Sequence, residues 1–310
     1  MWACLDQAWI SWGAAMRRVA YLAAALLAAA LAATACGSSP APATGGATGT
    51  PTASGDSGTS GPVWQLRWQT DFSEPAQLGS FSGCDNYDRT PAAYCSGLPA
   101  DLRAQWWAYP YMWPDTATEQ HRALGGYYDP GSTVWISGGQ MHIRLFRTTS
   151  WIHSAAVVPK ASIGLLYGKY VERFMVSPDS APGYRGAHLL WPTGDPIDYE
   201  VDYPENEWDL PLGFCVHVHS VFQKIVANSC PNAQWTQWHT TEIDWWPGNL
   251  TFYLDGREIY HITGSYVPTE PMSWIIQNES ALTGAPAPEN SAAQLNLSYV
   301  AVYSYAGGSG

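Results

Sequence analysis

In the stretch Ile197-Asp198-Tyr199-Glu200-Val201-Asp202-Tyr203-Pro204-Glu205, acidic and apolar residues alternate as far as Asp202. A period of two is typical of a β-strand with one polar face and one packed face. Like charges crowded on one strand face are destabilising, so we expect these carboxylates to have a function. Glu200 and Asp202 share a face by parity. Glu205 joins them only if a β-bulge near Pro204 absorbs one residue.

The rest of the chain favours an all-β domain. Short alternating runs are bounded by Gly, Pro, Asp and Asn, and no sustained helical period follows residue 63. Asp255-Gly256 separates two such runs, Leu250–Leu254 and Glu258–Ile262, which is a strong signal for a two-residue hairpin. Regular short strands with turn signals indicate a β-sandwich or barrel.

The N-terminus has the pattern of an export signal. Met16-Arg17-Arg18 precedes the apolar stretch 19–33, and small residues lead to Cys36. The site resembles that of a bacterial lipoprotein, in which Cys36 would carry the lipid. A cleaved secretory signal and an uncleaved anchor remain alternatives, and Met16 is an alternative start to Met1. Residues 1–36 are therefore assigned to the signal, and an extracellular protein tethered to the cell membrane is expected.

The remainder divides into a linker and one domain. Residues 37–62 are rich in Gly, Ser, Thr, Ala and Pro, which predicts a flexible linker. Residues 63–306, about 240 residues, suffice for a single all-β domain, and we expect a monomer.

The cysteines predict two disulfides in this domain. With Cys4 and Cys36 set aside, two close pairs remain, and each would contribute about 3 kcal/mol by closing a short loop. Their spacing does not favour metal ligation. We expect no cofactor and no catalytic metal, although a structural calcium ion stays open. The expected pairs are Cys84 with Cys95 and Cys215 with Cys230.

The net charge and the distribution of basic residues limit the kinds of molecule that the protein can bind. The net charge is −12, and the 14 basic residues are not clustered. This distribution argues against nucleic acid and against electrostatic binding to anionic lipid, so the membrane would be reached only through the lipid anchor. It permits a neutral partner.

Aromatic residues indicate a carbohydrate surface. The chain has 17 Trp and 18 Tyr, and the run 106–113 is too dense to be all core. Flat rings stack on the C–H faces of sugars, although sandwiches also use Trp and Tyr in their cores. The candidates for substrate binding are Trp107 and Trp113 in this run and Trp191 and Trp208, which flank the acidic strand.

Two carboxyl groups across a scissile bond are the requirement for glycoside hydrolysis. We assign Glu200 as the nucleophile and Asp202 as the group that holds and tunes it. Glu205 is assigned as the acid/base, with its pKa raised by charged neighbours. A solvated acidic strand, a calcium site and a salt-bridged surface are the structural alternatives.

Glu200-Val201-Asp202-Tyr203-Pro204-Glu205 resembles the bulged signature of the family 16 glycoside hydrolases, the laminarinase and lichenase group. Further segments resemble the strands of that family in the same order, so the resemblance covers most of residues 63–305. They are Tyr167–Arg173, Leu190–Pro192, Trp238–Trp245, Phe252–Gly256 and Met272–Glu279.

The resemblance implies a concanavalin A-like jelly-roll sandwich with a concave substrate groove and double displacement with retention. An endo-acting hydrolase of β-1,3-glucan is expected, with another β-linked polysaccharide such as a galactan as an alternative. A non-catalytic carbohydrate-binding domain and an envelope transglycosylase are the rivals. We expect His219 and Gln277 to line the groove. A zinc site of His217, His219 and His239 is disfavoured.

Overall fold

The computed structural model describes residues 61–84, 95–122, 125–194, 198–220 and 227–307. The predicted signal, the lipidation site Cys36 and almost all of the predicted linker lie outside the described residues. Within these ranges, no helix is both long enough and apolar enough to cross a membrane.

The described residues are organised almost entirely as β-strands, as the sequence predicts. Helices are limited to α1 (Ala100–Gln105), α2 (Thr116–Glu119) and α3 (Pro130–Thr133), with two 3-10 turns at Lys160–Ser162 and Gly264–Tyr266. The strands are β1 (Val63–Thr70), β2 (Trp106–Ala108), β3 (Gly126–Tyr128), β4 (Val134–Ser137), β5 (Gln140–Arg147), β6 (Ile152–Pro159), β7 (Gly168–Val176), β8 (Tyr184–Pro192), β9 (Tyr199–Glu207), β10 (Cys215–Ser220), β11 (Ala227–Ser229), β12 (His239–Trp246), β13 (Asn249–Leu254), β14 (Arg257–Thr263), β15 (Met272–Ser280) and β16 (Ala292–Gly307).

The strands form the two layers of a jelly-roll sandwich. The first sheet has the order β11-β10-β9-β8-β15-β6, and the second has the order β5-β16-β7-β12-β13-β14 with β1 added beside β16. β6 pairs with both β15 and β5, so it joins the two sheets. The predicted hairpin is confirmed: β13 pairs with β14, and Asp255 and Gly256 both have positive φ.

The core lies between the sheets and is rich in aromatic side chains. On β8, Tyr184, His188 and Leu190 are fully buried, as the alternation of a strand over a core requires. Gly186 in the same row lets the rings approach the backbone, because a Cβ there would lie 2.7 Å from the Trp235 ring. Sheet packing of this kind buries roughly 150–250 Å² for each aromatic side chain.

Trp208 belongs to this core, which corrects its prediction as a sugar platform. Its exposed fraction is 6%, and its ring packs against those of Tyr184 and Trp235. The physical reason is the register of β9. The strand gains a residue before Trp208, so the side chains that follow change faces.

The predicted bulge on β9 is present. Asp202 pairs with Leu189 of β8 and His217 of β10, whereas Glu205 pairs with Ala187 and Cys215. Three steps along β9 thus match two steps along each neighbour, and one extra residue is absorbed between Asp202 and Glu205. The Tyr203–Pro204 peptide bond is cis and lies within this segment.

Both predicted disulfides are present, Cys84–Cys95 and Cys215–Cys230. The second joins the start of β10 to the residue that follows β11. We expect the variant Cys215→Ser/Cys230→Ser to lose about 3 kcal/mol of unfolding free energy, because the unfolded chain is no longer constrained. Chemical denaturation measures this loss. The single variant Cys215→Ser is the matched control and should lose nearly as much, and an unchanged midpoint in both would contradict the prediction.

Candidate active site

A cleft lies on the outward face of the first sheet. Side chains of β8, β9, β10 and β15 line its floor, and α2 contributes to one wall. It encloses about 720 Å³, including its solvent-open mouth. Glu200, Asp202 and Glu205 all line the cleft, so the bulge brings the three predicted catalytic residues onto one surface.

Glu200 and Asp202 lie on β9 opposite the histidines of β10. Glu200 pairs with His219 and Asp202 pairs with His217 in the strand register. The side chain of Asp202 is 3% exposed, and its Oδ2 atom lies 3.4 Å from Nε2 of His219. Burial raises the pKa of Asp202 well above its usual range, and the neighbouring Glu200 and Glu205 raise it further. Burial also raises the pKa of Glu200, against the attraction of His219.

Glu205 has the opposite electrostatic environment. The guanidinium of Arg185 forms an ion pair with one carboxylate oxygen, and Nδ1 of His217 hydrogen-bonds the other. Burial acts to raise the pKa of Glu205, but Arg185 and His217 together outweigh it and hold the pKa well below its usual range. The prediction that charged neighbours raise the pKa of Glu205 is therefore wrong, because Arg185 on β8 and His217 on β10 act in the opposite direction.

A second buried carboxylate, Glu279 of β15, faces the same arginine. Nη1 of Arg185 lies 3.6 Å from Oε1 of Glu279. Thr116 N–H and the Tyr128 hydroxyl donate to Oε2, at 3.0 and 3.1 Å. Burial raises the pKa of Glu279 to about 7, although Arg185 opposes the shift.

Three of the four predicted tryptophans lie at the cleft or beside it. Trp191 is half-buried and lines the cleft. Trp107 and Trp113 are half-buried and pack on Tyr109, another lining residue, with ring centroids 5.5 and 5.6 Å apart. Trp106, by contrast, is fully buried in the core. The dense aromatic run thus divides between core and surface.

The predicted lining residues His219 and Gln277 both border the cleft. His239, the first residue of β12, instead hydrogen-bonds Oδ2 of Asp255 through Nδ1 at 2.8 Å. Glu200, Asp202 and His219 place one donor atom each within 4.8 Å of one another, so these three are the residues of the site that fit a single cation.

Arg185 lines the cleft but was not predicted from the sequence. Strand alternation could have indicated it, because Arg185 lies on the same face of β8 as Trp191, which was predicted to bind substrate. The alternate positions on this face are Arg185, Ala187, Leu189 and Trp191. Glu207 is a further acidic residue of β9 and pairs with Arg185 in the strand register. It is 7% exposed, and it accepts hydrogen bonds from the backbone N–H groups of Leu282 and Thr283.

Comparison with known proteins shows the fold. No protein-family model matches the chain, and no curated protein matches its sequence. The solved structure of LamAcat from Zobellia galactanivorans is similar, with a TM-score of 0.56, 17% identity, and 77% of this chain and 97% of that chain covered. An endo-β-1,3-glucanase from Pyrococcus furiosus has a TM-score of 0.56 and 16% identity, over 80% and 97% of the chains. The catalytic domain of an endo-1,3-β-glucanase (laminarinase) from Thermotoga petrophila has a TM-score of 0.56 and 14% identity, over 79% and 100%.

Proposed function

We propose that the protein is an endo-acting retaining hydrolase of a β-linked polysaccharide, with β-1,3-glucan as the leading substrate. One observation carries this proposal: the β9 bulge brings Glu200, Asp202 and Glu205 onto the floor of an open cleft. The fold shared with β-1,3-glucanases supports the same choice. A cleft that is open to solvent suits attack within a long chain.

In the proposed mechanism, the Glu200 carboxylate attacks the anomeric carbon while Glu205 gives its proton to the leaving oxygen. The glycosidic C–O bond breaks, and a covalent glycosyl-enzyme forms on Glu200. Water then attacks the same carbon, Glu205 takes a proton from it, and the Glu200 carboxylate is released. Burial raises the pKa of Asp202, which favours a protonated carboxyl that can donate a hydrogen bond to Glu200.

This mechanism needs Glu200 ionised and Glu205 protonated, whereas the surroundings in this structure raise the pKa of Glu200 and lower the pKa of Glu205. In the proposed mechanism, binding of a glycan therefore changes the surroundings of Glu205. The alternative is that the two residues exchange roles, with Glu205 as nucleophile. Rescue with azide distinguishes the two assignments.

A screen of polysaccharides tests the proposal. We expect the wild-type protein, but not Glu200→Gln, to release reducing sugar from laminarin, and lichenan and galactans define the linkage preference. Binding to these glycans without cleavage would favour the non-catalytic carbohydrate-binding domain. Products longer than the substrate would favour the transglycosylase.

Trp191 provides a test of substrate binding. We expect Trp191→Ala to raise KM by roughly 3- to 10-fold with little change in kcat, since stacking is worth about 0.5–1.5 kcal/mol. Steady-state kinetics on a soluble glucan measures this change. Trp238→Ala is the matched control, because Trp238 packs on Arg173 of the second sheet. An unchanged KM for Trp191→Ala would remove Trp191 from the binding surface.

We also propose that the enzyme is exported and tethered through a lipid on Cys36. The two disulfides support an oxidising, extracytoplasmic environment. Fractionation of cells that express the full chain or Cys36→Ser tests the anchor: we expect the first in the membrane fraction and the second released.

A further inference from the structure

Arg185 lies buried between two carboxylates of the cleft. Its side chain is 7% exposed, and its guanidinium contacts Glu205 through Nη2. The other terminal nitrogen, Nη1, stops 3.6 Å from Oε1 of Glu279, which is longer than a hydrogen bond. Arg185 therefore hydrogen-bonds Glu205 and forms a longer ion pair, without a hydrogen bond, with Glu279.

Glu279 presents an unused acceptor to this guanidinium. The side chain of Glu279 is completely buried, and Thr116 and Tyr128 both donate to Oε2. Within the described part of the chain, Oε1 has no hydrogen-bond partner, and neither has Nε of Arg185. A buried polar group without a hydrogen bond is destabilising, and more so when it is charged. A small turn of the guanidinium toward Glu279 would satisfy this oxygen.

The contact with Glu205 conflicts with the proposed chemistry. A carboxylate that is paired with a guanidinium favours its ionised form, whereas a general acid must carry a proton. Glu205 thus needs a way to lose its cation before the leaving oxygen can be protonated. Glu279, already within 3.6 Å of the guanidinium, offers that cation a second carboxylate in the same site.

We propose that Arg185 is a positioning residue that transfers between two carboxylates, hydrogen-bonded to Glu205 in this structure and turned onto Glu279 when a glycan is bound. The inference rests on the proposed function, in which Glu205 is the proton donor. In the bound state, Glu205 keeps its hydrogen bond with Nδ1 of His217 and loses its contact with the guanidinium.

The charge of Glu279 also favours movement of Arg185 toward it. Burial raises the pKa of Glu279 to about 7, so the second position becomes negatively charged, and attracts Arg185 more strongly, as the pH rises through neutrality. Other titratable groups face Arg185, Glu205 and Glu279 from the neighbouring elements. They are Glu200, Asp202 and Glu207 on β9, His217 and His219 on β10, and Tyr109 and Asp115 before α2.

The pH dependence of kcat tests the transfer, because its basic limb reports loss of the proton from Glu205 in the glycan complex, whereas that of kcat/KM reports the free enzyme. We expect Arg185→Gln to move the basic limb of kcat/KM to higher pH by about one unit. We expect Glu279→Gln to move the basic limb of kcat to lower pH, because Arg185 then stays with Glu205. If Glu279 acts through Arg185, adding Glu279→Gln to Arg185→Gln should cause little further shift. Arg173→Gln, on the second sheet, is the control and should leave both limbs unchanged.

A titration that does not depend on turnover separates this inference from the proposed function. The protein is labelled with ¹³C at glutamate carboxyls, and the Glu205 signal is followed against pH with and without a β-1,3-linked glucotriose. We expect the trisaccharide to raise the pKa of Glu205 in the wild type and not in Glu279→Gln. Arg185→Lys keeps the charge but lacks the two terminal nitrogens that face Glu205 and Glu279, so it should also lose the response.

Two results would overturn the transfer of Arg185. One is a Glu205 titration that does not change in Arg185→Gln. The other is a shift by Glu279→Gln that is equally large with and without Arg185, since independent charges would then explain it. If no polysaccharide is cleaved, the proposed function fails, while the titration still reports on the ion pairs.

Discussion

Replacement of Glu200 by Gln is expected to lower kcat/KM on the cleaved polysaccharide by at least about 10⁴-fold, because residues that form covalent intermediates carry effects of this size. The amide is nearly the same size as the carboxylate but cannot form the glycosyl-enzyme. Reducing-sugar assays measure the loss, and circular dichroism checks the fold. Glu242→Gln is the matched control, since Glu242 pairs with Lys169 at 2.7 Å on the second sheet and should retain activity.

Azide rescue assigns the roles within the carboxylate pair. Azide should attack from the face opened in Glu200→Ala, so the expected product is an α-glycosyl azide, inverted relative to the β-linked substrate. In Glu205→Ala, azide should react with the glycosyl-enzyme instead and give the β-glycosyl azide. The reverse pattern would make Glu205 the nucleophile, the assignment that the lowered pKa of Glu205 and the raised pKa of Glu200 favour.

Replacement of Trp235 by Ala is expected to cost about 3–5 kcal/mol of unfolding free energy, the usual loss for a large aromatic side chain in a core. Trp235 is 1% exposed, and its ring contacts those of Phe174, Phe214 and Trp208 between the two sheets. Denaturant titration measures the loss, and the melting temperature should fall by roughly 6–20 °C.

Trp238→Ala is the control for that prediction. Trp238 is half-buried, and the Arg173 guanidinium lies 4.5 Å from its ring centroid. Its loss should cost only about 0.5–1 kcal/mol, the value of an exposed cation–π contact. Equal losses from the two tryptophans would show that Trp235 is not at the centre of the core.

The spacing of residues along the chain was sufficient to predict an all-β fold, the β13–β14 hairpin and both disulfides, whereas the jelly-roll sandwich followed from the resemblance. The spacing also predicted the bulge on β9, because parity separated Glu205 from Glu200 and because Pro204 is hard to place in a regular strand. These features depend on local spacing along the chain. They could therefore be derived without knowing which strands are neighbours.

The remaining features depend on neighbouring strands. Arg185 and His217 come from β8 and β10, and their effect on the pKa of Glu205 follows only from the strand order. Trp208 is a different case. The bulge reverses the parity of every later residue on β9, so the same reasoning that brought Glu205 into the cleft places Trp208 in the core.

The most direct test of the account is the configuration of the newly formed reducing end, followed by ¹H NMR in the first minutes of laminarin hydrolysis. Retention through a glycosyl-enzyme predicts that the β-anomer accumulates first and then equilibrates slowly with the α-anomer. Initial accumulation of the α-anomer would contradict the two-step mechanism on Glu200, Asp202 and Glu205.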